Sequence, residues 1–125
     1  MILVDTSVWI EHLRRRHAGL ATLLNRAEVA VHPFVIGEIA LGALSHRAEV
    51  IELLDALPSV SLVSHEEALE AIERRGLAGA GIGWVDVHLL ASALVSQVPL
   101  WTMDRRLEVV AVRLGIAWQA HGGST

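Results

Sequence analysis

The chain of 125 residues contains no cysteine, no lysine and no tyrosine, and only three prolines. The absence of cysteine excludes disulfides and thiolate metal sites. It is compatible with a reducing cytoplasm, where we expect the protein to act. No apolar stretch approaches the ~18 residues that a membrane-spanning helix needs. No basic segment with a longer apolar run precedes a cleavage site, so we expect neither a signal peptide nor a membrane partner.

Basic charge is scarce and is carried by arginine alone. The formal net charge is −4, whereas general nucleic-acid binders are basic. Arginine suits bidentate phosphate contacts, so the clusters at 14–16, 74–75 and 105–106 are either phosphate contacts or solvated helix faces. For 74–75 we prefer the solvated face. Four carboxylates committed to metal ions would account for the whole net charge.

Apolar residues are abundant for a chain of this length. They make up 53% of the sequence before the ten glycines are added, above the ~45–50% usual for the combined set. A small domain cannot bury all of that surface, so we infer an apolar surface that a partner or a second copy covers. The alternative is a helix-rich domain with many small alanines.

Short apolar runs alternate with longer segments of helical periodicity. Strands are predicted at residues 2–4, 28–32, 60–63, 100–102 and 116–118, and helices at 7–16, 19–26, 34–44, 47–57, 65–75, 84–97 and 104–114. Strands that alternate with helices form a parallel sheet with right-handed crossovers. We therefore predict a three-layer α/β/α fold with a short-stranded central parallel sheet. It forms one domain over residues 1–120, followed by a flexible tail at 121–125.

Two carboxylates directly follow predicted strands. Asp5 comes after the apolar run at 2–4, and Asp104 comes just beyond the run at 100–102. Ligands bind at the carboxyl ends of strands in open parallel sheets, so both side chains are expected to face one crevice. The simpler interpretation is that each caps the helix that follows, with Thr6 or Ser7 as other possible caps in the first case.

Two further carboxylates lie on predicted helices with apolar neighbours. At spacings of three and four residues, Glu38 meets only apolar residues or glycine. Its charge there needs a partner or a metal ion, unless the helix lies at an exposed rim. Asp86 lies in the first turn of a helix behind a glycine-rich loop, where the helix dipole alone also favours it. His88 faces elsewhere, and we interpret it as structural.

Taken together, four segments resemble the PIN-domain family. They are DTSVWI at the start, Glu38 on the helix after the second strand, GWVDVHLLASAL in the middle and LWTMDRRL near the end. The resemblance covers nearly the whole chain in order and spacing, and it is greatest to the VapC-type ribonuclease toxins of toxin–antitoxin pairs. It implies a PIN-like fold in which Asp5, Glu38, Asp86 and Asp104 are the acidic catalytic and metal-site residues.

The resemblance also implies supporting residues and partners. A polar supporting role falls to Thr6 or Ser7 and to Thr102. Arg105 or Arg106, beside the last carboxylate, is expected to reach the substrate phosphate, with a solvated first helical turn as the alternative. The family further implies an RNA substrate, a cognate antitoxin that blocks the site, and a homodimer.

Phosphodiester cleavage needs a nucleophile at neutral pH and neutralisation of the phosphoryl charge. Mg²⁺, or Mn²⁺, supplies both and prefers oxygen ligands. We expect Asp5 with Asp86 or Asp104 to bind the principal ion. Glu38 is expected to orient or deprotonate the attacking water, or to hold a second ion. The sequence therefore predicts a metal-dependent endoribonuclease, and the alternative is a PIN-like module that binds protein or RNA without cleaving it.

Overall fold

Three parallel strands form the centre of the molecule. The computed structural model describes residues 1–119, and its strands are β1 (Ile2–Val4), β2 (Val29–Ala30) and β3 (Leu100–Trp101). Their order across the sheet is β2-β1-β3, and both outer strands run parallel to β1. The chain crosses from β1 to β2 on one side, and the next crossover leads from β2 past β1 to β3 on the other side. The crevice between the carboxyl ends of β1 and β3 is therefore a topological switch point.

The central strand is buried on both faces. Side chains alternate between the two faces of a strand, and Leu3 and Val4 are both fully buried. Helices therefore cover the sheet on both sides, and the predicted α/β fold with a short-stranded parallel sheet is confirmed. The buried helical side chains that share this core include Val8, Leu20, Ile39, Leu89, Leu90 and Leu107. Each buried leucine or isoleucine contributes roughly 1.5–3 kcal/mol of transfer free energy.

Seven helices are present in residues 1–119. They are α1 (Thr6–Arg15), α2 (Ala18–Asn25), α3 (Pro33–Leu41), α4 (Arg47–Asp55), α5 (His65–Arg75), α6 (Trp84–Ser96) and α7 (Arg105–Arg113). Their bounds agree with the predicted ones to within two residues, except that α3 ends three residues early. Gly42 is extended there. The guanidinium of Arg47 binds the carbonyls of Ala40 and Gly42, which satisfies the end of the helix.

Residues 60–63 do not form the predicted strand. The chain pairs with the edge of the sheet through a single bridge between Ser59 and Val31. Two residues later, the N–H of Ser61 donates to Oγ of Ser96 on α6 at 2.9 Å, which holds the segment away from the sheet. The strand prediction is wrong because an apolar run does not reveal a hydrogen-bond partner on a distant helix.

The predicted last strand is also shorter than expected. Only Ala117 pairs with the sheet, in a bridge to Leu100, after a turn in which Gly115 takes φ +76°. The predicted domain boundary at 120 and the tail at 121–125 lie outside the described residues. No helix within residues 1–119 has both the length and the apolar character needed to cross a membrane.

Candidate active site

Asp5 lies at the carboxyl end of the central strand, with only 6% of its surface exposed. Its Oδ2 accepts hydrogen bonds from Oγ of Ser7 and from Oγ1 of Thr102, both at 2.7 Å. Although Asp5 occupies the N-cap position of α1, its side chain accepts no N–H from that helix. The capping interpretation is therefore wrong for this side chain, which is held by one hydroxyl from the first turn of α1 and one from the residue after β3.

The two hydroxyls have their own fixed orientation. Oγ of Ser7 accepts the N–H of Met103, and Oγ1 of Thr102 accepts the N–H of Asp104, both at 2.9 Å. Because each oxygen accepts a backbone N–H, its own hydrogen remains free to donate to Asp5. The network joins the ends of β1 and β3 and orients the buried carboxylate.

Asp104 is exposed and caps α7 through one oxygen. Its Oδ1 accepts the N–H of Leu107 at 3.1 Å, so the capping interpretation is confirmed here. The described hydrogen bonds leave Oδ2 without a partner. One carboxylate can therefore cap the helix and still present an oxygen to a ligand.

Glu38 belongs to the same surface region through a bond to α1. Oγ1 of Thr6 donates to its Oε1 at 2.6 Å. The side chain is exposed, as the rim interpretation predicts, yet it has a defined position relative to the first strand end. A Cβ on the preceding Gly37 would meet no atom within 4 Å, so the chain itself leaves that side of the helix open.

Asp86 connects the four carboxylates electrostatically. Its Oδ2 accepts the N–H of Gly83 at 3.0 Å. Burial raises its pKa, the Gly83 bond opposes that rise, and the negative charges of Asp5, Asp104 and Glu38 raise it further. All three other carboxylates are therefore close enough for their charges to act on Asp86.

The four carboxylates do not form a preassembled metal site. Across residues 1–119, no three Asp, Glu or His side chains approach closely enough to hold an ion as they stand. The salt bridges within residues 1–119 involve other acidic residues, and none includes one of these four carboxylates. Like charges without a counter-ion favour separation. The donor set of hard carboxylate oxygens nevertheless fits a divalent cation such as Mg²⁺ or Mn²⁺.

The two arginines after Asp104 are exposed in the first turn of α7. The side chain of Arg106 runs beside Gly81, where a Cβ would lie 3.2 Å from its Cδ. Gly81 has φ +80° and belongs to the glycine-rich loop before Asp86. Arg106 therefore lies beside the loop that leads into the helix of Asp86. For Arg105 the structure shows only that the side chain is exposed.

Sequence reasoning did not single out the aromatic residues beside these acids. Phe34 is the second residue of the helix that carries Glu38, and Trp84 is the first residue of the helix that carries Asp86. Both rings are exposed. The sequence does place each aromatic residue within four residues of an acidic site residue, and this spacing could have identified them as neighbours of the site.

Comparison with known proteins gives three findings. The family model for the PIN domain matches residues 2–113. Ribonuclease VapC32 from two strains of Mycobacterium tuberculosis is 49% identical over 118 residues, which is 94% of this chain and 95% of that protein. The crystal structure of PAE2754 from Pyrobaculum aerophilum aligns with a TM-score of 0.56 at 18% identity, covering 91% of this chain and 88% of that one.

The family match covers most of the described chain, and the identity to the VapC protein extends over nearly the full length of both. The solved structure supports the fold alone. The ordered motifs of the sequence agree with both findings. The chain belongs to the PIN-domain family, among the VapC proteins.

Proposed function

We propose that the protein is a metal-dependent endoribonuclease that hydrolyses RNA phosphodiester bonds and acts as the toxin of a toxin–antitoxin pair. The observation that carries the proposal is the set of four carboxylates at the switch point of the sheet, none of which has a basic partner among residues 1–119. The relative named as a ribonuclease supports the choice of RNA. Cellular RNA lies in the cytoplasm, which is the proposed compartment.

Asp5, Asp86 and Asp104 would hold the cation, with Glu38 beside them. Mg²⁺, or Mn²⁺, when bound, neutralises phosphoryl charge and makes a water more acidic. Asp5 is the best-positioned ligand because two hydroxyls already fix its orientation. Glu38, at the exposed rim and held by Thr6, orients or deprotonates the attacking water.

The arginines act on the substrate in this proposal. Arg106 binds a phosphate oxygen at the edge of the site, since its guanidinium has no ion pair among the described residues and can form charge-assisted hydrogen bonds. Arg105 is the second candidate on the same helical turn. Water attacks phosphorus, the bond to the leaving oxygen breaks, and the leaving oxygen takes up a proton.

The experiment is cleavage of total RNA by the purified chain, with Mg²⁺ or Mn²⁺ and with chelator. Cleavage is expected with either metal and not with chelator. Asp5→Asn removes the charge and keeps the shape, so it is expected to abolish cleavage. The matched control is Asp55→Asn, at the exposed end of α4, which is expected to cleave as well as wild type. Equal cleavage by the Asp5→Asn protein would show that the wrong site has been chosen.

A PIN-like module that binds without cutting is the second candidate, since no three of the acids and histidines in residues 1–119 lie close enough together to hold an ion as they stand. The two differ in one outcome. If the wild-type chain binds RNA but generates no new ends with either metal, the protein is a binding module. New ends that disappear with Asp5→Asn support the nuclease.

An apolar groove supports the proposed antitoxin. The groove has a volume of about 300 Å³ and is bounded by α1, α2 and α4. Its lining residues are Trp9, His12, Leu13, Leu24, Val50, Leu53, Leu54 and Leu57. Leu53 is 70% exposed, and Leu41 on α3 is 89% exposed. These leucines fit the inferred apolar surface that an antitoxin or a second copy of the chain covers.

Light scattering of the purified chain tests the homodimer. A dimer mass at high concentration is expected, and Leu53→Asp is expected to weaken it because it places a charge in the exposed apolar groove. A monomer mass at every concentration would refute the homodimer and leave the antitoxin as the occupant of this surface.

A further inference from the structure

Two exposed aromatic rings lie beside the carboxylates and have no part in the chemistry above. Phe34 and Trp84 are 40% and 41% exposed. Phe34 precedes Glu38 by one helical turn on α3, so the two side chains lie on one face. Trp84 opens α6 two residues before Asp86. Phe34 therefore lies beside Glu38, and Trp84 lies on the same helix as Asp86 but on another face.

A buried histidine connects the two rings. The ring centroids of Phe34 and Trp84 lie 4.9 and 4.7 Å from that of His88, with interplanar angles of 60° and 83°. His88 is only 5% exposed. The two exposed rings therefore both pack edge-on or tilted against one buried ring, and His88 brings them together at the surface. We call these three residues the aromatic slot.

Each exposed ring also contacts a second histidine. The ring of His32, which is 1% exposed, lies 4.8 Å from that of Phe34. The ring of His65 lies 5.4 Å from that of Trp84. Rings fixed at helix starts by such contacts lose little conformational freedom when a ligand stacks on them.

We propose that the aromatic slot stacks an unpaired base of the RNA strand whose phosphodiester lies at the carboxylates. The inference rests on the proposed function and identifies which part of the substrate the chain recognises. Single-stranded RNA is commonly bound by stacking its bases on aromatic rings. Stacking needs no positive charge, so it suits a chain without lysine whose site carboxylates repel the phosphates.

The position of the slot favours a base over a protein segment. Phe34 shares a helix face with Glu38, so an apolar peptide bound on the rings would bury that carboxylate against apolar side chains. A nucleotide instead offers a flat base to the rings and a phosphate to the adjacent metal-site residues. The larger apolar groove lies elsewhere, on α1, α2 and α4.

The test is binding of a short fluorescein-labelled single-stranded RNA of mixed sequence to the full chain, with chelator present to prevent cleavage. Trp84→Leu and Phe34→Leu keep apolar bulk and remove the aromatic face. Stacking worth ~1–3 kcal/mol per base corresponds to a loss of affinity of roughly 5- to 100-fold. Trp84→Phe is expected to retain most of the affinity. Val95→Ala, at the other end of α6 and 60% exposed, is the control with unchanged affinity.

A second probe locates the stacked base. The same RNA is prepared with one abasic position, which is moved along the strand. One abasic position is expected to weaken binding to wild type and to have no further effect on the Trp84→Leu protein. An additive effect of the two changes at every position would contradict stacking in the slot.

The outcomes separate this inference from the proposed function. If wild type cleaves RNA and both leucine variants bind it as tightly as wild type does, the slot is overturned and the nuclease stands. If wild type neither binds nor cleaves RNA, both fail. If the leucine variants change only the mass of the particle in light scattering, the rings belong to a contact between copies and the inference is overturned.

Discussion

Asp5 and Asp104 show how two carboxylates in similar sequence contexts differ in structure. Both follow a strand and precede a helix, yet only Asp104 caps its helix. Asp5 instead accepts the hydroxyls of Ser7 and Thr102. The difference arises because Thr102, distant in sequence, lies next to Asp5 across the paired strands β1 and β3. The two hydroxyls hold Oδ2 of this buried carboxylate, and the described hydrogen bonds leave Oδ1 without a partner.

The negative charge of Asp86 is predicted to lower folding stability, although the proposed function needs it. Its folded-state pKa is raised by burial and by three neighbouring carboxylates, so ionisation at neutral pH costs folding free energy. The stability that this group contributes is therefore lost as pH rises through the raised pKa. Asp86→Asn keeps the acceptor for the Gly83 N–H and removes the charge. We expect the variant to be more stable than wild type in urea with chelator at pH 7, and inactive on RNA.

Two controls belong to that experiment. Asp55→Asn is expected to leave stability unchanged, because Asp55 is exposed at the end of α4. Added Mg²⁺ is expected to reduce the difference between Asp86→Asn and wild type, since ion binding stabilises only the intact site. A destabilised Asp86→Asn protein in chelator would contradict the repulsion described here.

At the scale of the elements, the start of α3 contains a pH-sensitive cap. Nδ1 of His32 accepts the N–H of Phe34 at 2.9 Å. Burial, with a smaller effect of nearby His88, lowers its pKa from 6.5 to about 4. Between those pH values the unfolded chain takes up a proton that the folded chain does not, so stability falls as pH drops. At 1.36 kcal/mol per pKa unit, the loss from this group is about 3 kcal/mol.

His32→Asn removes the titration and keeps an N-cap acceptor. We expect the variant to lose less stability than wild type between pH 7.5 and pH 4.5 in urea unfolding, whatever its stability at pH 7.5. His46→Asn is the control, because His46 is exposed at the start of α4 and makes no side-chain cap bond. Equal acid sensitivity of wild type and the His32→Asn protein would refute the buried neutral histidine.

The glycine-rich loop offers a matched pair of substitutions. Gly79 and Gly81 have φ of +74° and +80°, so alanine at either is expected to cost ~1–2 kcal/mol of folding stability. Only at Gly81 would the new Cβ contact Arg106. We therefore expect Gly81→Ala alone to weaken RNA binding, with a salt dependence shallower by about 0.7 in the log–log slope, as for one lost phosphate contact. Identical RNA binding by the two variants would remove Arg106 from the substrate site.

The helices were predictable from sequence and the weaker sheet edges were not. His65–Arg75 was predicted to the residue because its apolar positions repeat with helical spacing. The strand at 60–63 was wrong because its pairing depends on Ser96, on another element. The four acids were predicted from ordered motifs, but their hydroxyl partners and the aromatic slot depend on the packing of helices distant in sequence.

At the scale of the whole molecule, the fold brings carboxylates from four separate segments to one edge of a three-stranded sheet. Asp104 caps a helix, Asp86 lies in a first helical turn and Glu38 lies at an exposed rim, whereas Asp5 caps no helix. Their mutual effect on Asp86 is a property of the assembled chain alone. The central claim is that these side chains share a divalent cation.

Calorimetric titration of Mn²⁺ and Mg²⁺ into the metal-free chain tests that claim directly. We expect saturable binding to wild type and to Asp55→Asn, and loss of that binding with Asp5→Asn, which keeps the hydrogen-bonding shape of the site. Absence of saturable binding to wild type, or equal binding by the Asp5→Asn protein, would contradict the account.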